Sequence, residues 1–183
     1  MQEKFAEFLE LLADYDDPSE LLELFDSLVG DRVSFSRFLM EAYGLTKEEA
    51  EEWQDDDEAY EDEEDREYSR RLQLSAGVCL LLREFGYVYN DDWKMDYEGL
   101  SEHISEWLDQ EFEITFEECK MAFDDSDGEA MPADVIRQKI EQESDFTLLE
   151  FISGDDDVNF AIVQKTDKAK ILELADELGI IVE

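Results

Sequence analysis

Carboxylates outnumber cationic side chains in this chain by 54 to 15, a formal net charge of −39 over 183 residues. A chain so charged folds only if its apolar residues can go inside while its acids stay wet, because a buried, unpaired carboxylate costs more than a domain's net stability. The apolar supply is ample: 43% of the residues are hydrophobic, among them 12 Phe, 7 Tyr and 3 Trp. Acidic disordered chains are poor in such residues. At this length folding can bury roughly 70% of the unfolded surface. The expectation is an ordinary core under an acidic coat.

The coat is continuous. Residues 1–69 carry 25 acids against 5 bases, and residues 70–183 carry 29 against 10. Such a field repels nucleic acid and anionic membrane, and it attracts basic proteins and loosely condensed cations. Direct phosphate binding needs a local basic cluster, and the largest is Arg70-Arg71. No apolar run approaches the ~18 residues of a membrane helix. The opening "MQEKFAEFLELLADYDD" has acids between its apolar residues, unlike a signal peptide, so a cytoplasmic protein is expected. Cys79 and Cys119 have no CxxC spacing and read as reduced thiols.

The first third reads as helices. Phe5, Phe8, Leu9, Leu11 and Leu12 recur at helical spacing. Asp17 caps "SELLELFDSLVG" with Pro18 at the first helical position. Ser34 starts "FSRFLMEAYG", which Gly44 ends in a left-handed conformation, and Thr46 with Glu49 forms the capping box of a fourth helix. The densest acid follows, 12 carboxylates in the 17 residues from Glu51 to Glu67. A helix beginning near Asp57 would put acids in its early turns, where the dipole favours them. It would also pair Asp62–Arg66 and Glu67–Arg71 at i,i+4, worth ~0.2–0.5 kcal/mol each. That register runs into "LQLSAGVCLLLREFG", which Gly86 can terminate. One long helix is expected, acidic at its start and buried in its second half.

The remainder mixes strand and helix. Tyr87 to Tyr89 is strand-like. Leu100, Ile104, Trp107 and Leu108 share a helical face, Thr115 and Glu118 form a second capping box, and Pro132 opens a helix carrying Val135, Ile136 and Ile140. "DFTLLEFISGDDDVNFAIVQ" reads as a hairpin turning at 154–157. Asp167 caps a last helix, and "IIV" is a short final strand. The fold class is therefore α+β: a small antiparallel sheet packed against helices, with an acidic helical N-terminal subdomain over 1–68 and an α+β domain over 69–183.

No stretch spells out a reaction. "FDDSDGEAMPAD" resembles a calcium loop, but with Gly128 at the sixth position the first is Phe123 and the twelfth Asp134, where the ion needs a carboxylate and a bidentate Glu. In "DDDVN", Phe160 takes the glycine position. Both read as acidic turns, and no metal or cofactor is expected. His103, the one histidine, could be a base oriented by Glu106, but on an acidic helix it reads as a solvated surface residue. Nucleophile elbows, Walker loops, dinucleotide fingerprints and zinc spacings are absent from the sequence.

Acid interleaved with aromatics is the remaining constellation. Carboxylates spaced along a rigid helix imitate a row of phosphates, and aromatics anchor interfaces. The partner-binding residues expected on this basis are Trp53, Asp55, Asp56, Asp57, Glu58, Tyr60, Glu61, Asp62, Glu64 and Asp65. The bland reading keeps Trp53 and Trp93 in the core and the acids solvated.

Three stretches carry a family likeness: the apolar helix ending in "REFGY", then "DDWKMDYEGLSEHI" with Trp93-Lys94, and the ending "FTLLEFISGDDDVNFAIVQKTDKAKILELADELGI". Over about residues 72–183 the chain resembles a family of small bacterial proteins known only as a domain of unknown function. The resemblance implies an α+β fold and a bacterial source, and it supplies no activity and no catalytic residues. Residues 1–68 lie outside it.

The functional expectation is a non-enzymatic acidic protein that docks a basic protein and does not itself bind nucleic acid. It would act as a DNA-mimic or immunity-type inhibitor of a nucleic-acid-binding protein or nuclease. An enzyme of unrecognised type and a housekeeping protein with a salt-adapted surface stay open as alternatives. Only 8 Lys suits salt adaptation, while the abundant Phe, Ile and Leu look like an ordinary core.

Overall fold

The computed structural model describes residues 1–13, 17–30, 33–52, 63–92, 96–125, 131–154 and 157–183. In chain order these form α1 (Gln2–Leu12), α2 (Ser19–Val29), α3 (Val33–Tyr43), α4 (Lys47–Glu52), α5 (Glu63–Glu84), β1 (Tyr89–Asp92), α6 (Tyr97–Leu108), α7 (Phe116–Asp125), α8 (Pro132–Glu143), β2 (Phe146–Glu150), β3 (Asp157–Gln164) and α9 (Lys168–Leu178). The class is α+β, with a three-stranded antiparallel sheet in the order β1-β3-β2.

The sheet is covered on both faces, and strand alternation explains how. Five consecutive residues of the central strand, Asn159 to Val163, are buried. Because successive side chains point to opposite faces, Ala161 and Val163, with Leu149 and Phe151, join one core while Phe160, Ile162 and Leu148 join another. The first core is built with α1, α2, α3, α5 and α9, and residues on both sides of position 68 contribute to it. Its centre is aromatic: Phe5 stacks on Phe25 at 3.8 Å, and Phe8 meets Phe151 edge-on at 6.1 Å. The second core sits under α6, α7 and α8 through Leu100, Ile104, Cys119, Ile136 and Ile140. Both cysteines are buried and free.

The expected stops and starts are made by the expected atoms. Thr46 and Glu49 exchange bonds as a capping box (2.7 and 3.3 Å), as do Thr115 and Glu118 (2.9 and 3.3 Å). Gly44 and Gly86, the expected stops, take φ of 67° and 75°, and Gly179 after α9 takes 80°. After Gly86 and Gly179 the next residue's N–H reaches back to the last helical turn, Tyr87 to the Leu82 carbonyl and Ile180 to that of Ala175, which satisfies carbonyls the helix leaves orphaned.

Several boundaries differ from the sequence reading. Tyr87 and Val88 are not in strand: the bonds that close α5 still bend the chain there, so β1 begins at Tyr89. Pro18 is the residue before α2 rather than its first, and the Asp17 carboxylate accepts the Ser19 N–H at 3.0 Å. Helix α3 starts at Val33, because its early N–H groups find a partner outside the local sequence: buried Ser27 Oγ accepts from Ser34 and Phe35, each at 3.0 Å. Asp167 precedes α9 without capping it through its side chain. The final "IIV" pairs antiparallel with the end of β2 over a short stretch, Val182 opposite Phe151, held by Ile152 N–H to the Ile181 carbonyl and by reciprocal Glu150–Glu183 backbone bonds. Arg137 reinforces that edge, donating from Nε to the Leu148 carbonyl (2.9 Å) and from Nη2 to that of Glu183 (3.3 Å).

Helix α5 does run from acidic beginnings into a buried second half, where Val78, Leu81 and Leu82 are fully buried. Residues 53–62, including the start expected near Asp57, lie outside the described residues. The expected Glu67–Arg71 pair does not form: Arg71 Nη2 reaches Asp176 of α9 instead, at 2.9 Å, and Asp62 of the other expected pair lies outside the described residues.

Candidate functional site

Of the residues expected to bind a partner, Trp53, Asp55, Asp56, Asp57, Glu58, Tyr60, Glu61 and Asp62 lie outside the described residues, as does Trp93. Glu64 and Asp65 fall in the first turn of α5. The described residues carry an acidic constellation elsewhere, on α6.

Helix α6 begins at the Asp96 carboxylate, which accepts the Glu98 N–H, and ends at Asp109 in a left-handed conformation. Leu100 and Ile104 face the second core. Ser101 and Ser105, one turn apart, hold the following chain against the helix. Ser101 Oγ accepts from Ile114 N (3.0 Å) and Ser105 Oγ from Phe112 N (2.9 Å), while the same hydroxyls donate to the carbonyls of Tyr97 and Ser101. Phe112 and Ile114 point into the core. In the period-two pattern of "EFEIT", Glu111 and Glu113 are therefore exposed.

Between α6 and this segment runs a groove of about 660 Å³, lined by Glu98, Glu102, Glu106 and Glu113, with Tyr97 and Phe116 among its apolar walls. Tyr97 and Phe116 meet edge-on at 6.1 Å, and Phe116 is 56% exposed. Among the described residues no Lys or Arg bridges these four carboxylates; Lys139 is turned to Glu118 instead, at 2.8 Å. The spacing was readable in "YEGLSEHISEWL". It carries no mark of its own there, because one carboxylate among 54 has the same local signature as any other. A second groove, of about 580 Å³, lies between α2, α3 and the end of α5, where Glu20, Glu23, Glu41 and Glu84 surround Leu24, Phe38 and Phe85, with Arg37 among them.

His103 requires correction. It is not a solvated surface residue but lies half-buried between the rings of Tyr89 (4.9 Å) and Trp107 (4.5 Å), with Nε2 shut off from solvent and unpartnered among the described residues. Burial lowers its pKa, partly offset by Glu106. Burial also raises the Cys119 thiol and, with that thiol beside it, pushes Tyr97 up to about 12. Both are held in their protonated forms near neutral pH, the opposite of nucleophile activation. Asn159 of "DDDVN" is a strand residue, buried and accepting from Asn90 Nδ2 at 3.0 Å. Among the described residues no three His, Cys, Asp or Glu side chains gather as a metal site would require, and no helix is long and apolar enough to cross a membrane.

No family model and no solved structure matches the chain. It is similar to an uncharacterised protein of Pasteurella multocida (strain Pm70), 36% identical over 90 residues, which are 49% of this chain and 22% of that protein. The chain thus spans about a fifth of the relative it matches, and the likeness to uncharacterised bacterial proteins stands at that level.

Proposed function

We propose that this protein is a non-enzymatic acidic binder that docks a basic protein, a nuclease or other nucleic-acid-binding protein whose phosphate-binding surface it occupies. One observation carries the reading: with a net charge of −39, most of the carboxylates have no cation in the chain to pair with, yet the body beneath is packed around two ordinary apolar cores. Acid at this density exceeds what solubility asks for and costs self-repulsion. A partner of opposite charge recovers that cost. The run from Trp53 to Asp65 is proposed as one contact surface, its Trp53 and Tyr60 as anchors.

The test is capture of basic proteins from the source lysate at ~150 mM salt, followed by titration of each purified captive's nucleic-acid binding or cleavage with this protein. Stoichiometric loss of nucleic-acid binding, relieved when ~1 M salt screens the contact, is the expected result. Captives whose nucleic-acid binding is unaffected, or no basic captive at all, would overturn the proposal.

A further inference from the structure

We infer that the groove between α6 and the 111–116 segment seats an extended cationic segment of the partner, with Lys or Arg at every second position and an apolar side chain against Phe116. This rests on the binding role proposed above and names the seat and the chemistry of what fills it.

Spacing together with two facing walls points to the occupant. Glu98, Glu102 and Glu106 stand one turn apart on α6, a rise of about 6 Å per step. Alternate residues of an extended chain rise about 6.6 Å and point the same way, so three cations on one side of such a segment meet three carboxylates in register. The intervening positions face the opposite wall, where Glu113 stands. A helix with cations at every fourth position has the same rise of about 6 Å but puts them all on one face, whereas an extended segment turns alternate side chains to both walls.

The groove also has an apolar end. Phe116 is 56% exposed although it sits edge-on to Tyr97 at 6.1 Å, and exposed aromatics beside a concave wall are what interface anchors use. Charge excludes a second copy of this chain, which would bring its own −39 against the same wall. The groove's own carboxylates have no Lys or Arg bridge among the described residues, so an incoming cation displaces no partner among those residues.

The experiment uses the full chain and fluorescent synthetic peptides of one length and charge, each with three arginines and one leucine, the remainder serine in the first two and alanine in the third. The arginines are placed at alternate positions, contiguously, or at every fourth position in a helix-favouring sequence. Affinities are measured at ~150 mM salt for the native chain and for two variants that each lose three charges. One is Glu98→Gln/Glu102→Gln/Glu106→Gln; the other is Glu3→Gln/Glu10→Gln/Glu48→Gln on exposed positions away from the groove. Phe116→Ser is added to test the apolar end.

The alternate peptide should bind tightest, weaken about tenfold in the groove variant and several-fold in Phe116→Ser, and change little in the control variant. Equal weakening in both triple variants would leave the acidic-binder reading standing and overturn the groove. Preference for the every-fourth peptide would overturn the extended occupant, and a Phe116-dependent dimer in sedimentation would make the occupant a second copy. If no peptide bound the native chain while a captured basic protein did, the groove alone would fail. If neither bound, the binding role would fail with it.

Discussion

Protonating His103 places a charge between the Tyr89 and Trp107 rings, on an imidazole whose Nε2 is cut off from water. Burial therefore depresses its folded pKa below the ordinary value of 6.5. The neutral form is the one the fold tolerates, so the stability linked to this group is intact above 6.5 and is lost as pH falls toward the depressed folded pKa. His103→Phe keeps the ring stack and removes the titration. Its advantage over the native chain should grow between pH 7 and pH 5, read as the difference in urea midpoints. A midpoint difference independent of pH would mean the ring is solvated in the fold. Glu150 has the opposite sign: burial first, then the Glu183 charge, raises its carboxyl above the usual range. A raised carboxyl favours the fold at low pH, and that contribution fades as pH rises through the folded value. Glu150→Gln should then raise the melting temperature at pH 7 and lose the advantage near pH 4.

At the scale of elements, the groove exists because two serines of α6 replace a sheet partner for residues 112–114. A buried N–H without an acceptor costs about 1–3 kcal/mol. Ser101→Ala removes the acceptor of Ile114 N, with both residues buried. The expected loss is about 1–3 kcal/mol, or ~2–4 °C in melting temperature for each kcal/mol in a chain of this size, with faster hydrogen exchange at the Ile114 amide. Native exchange there would mean the segment is held by its side chains alone. The same reasoning applies to α3, whose first turn depends on Ser27 of α2.

For the whole molecule, repulsion among unpaired carboxylates is the dominant long-range term. Raising salt from 10 mM to 1 M shortens the screening length from about 30 Å to about 3 Å. The melting temperature should therefore climb steadily over that range, and further with millimolar magnesium, as loosely condensed cations populate the surface. A flat profile would show that the charge is compensated within the fold. Scattered ion pairs are no such compensation: Lys4–Glu177 and Arg71–Asp176 tie α1 and α5 to α9 across exposed surface, where each is worth at most about 1 kcal/mol.

What the sequence by itself determined is what local chemistry decides. The capping boxes at Thr46/Glu49 and Thr115/Glu118, the glycine stops at 44 and 86, the start at Pro132 and the two strands of the 146–164 hairpin each depend on a few neighbouring residues and were legible there. So was the division between core and coat, since no arrangement could bury 54 carboxylates. Pairings set by distance in the chain were not legible. Tyr89 meets Phe160 across the sheet, Phe151 meets Val182 at its edge, and β3 faces a different core on each side. The burial of His103 and the groove beside α6 follow from that packing. An exposed carboxylate or a lone imidazole has the same local signature wherever it sits, and only the elements packed around it decide whether it faces water, a ring or a partner.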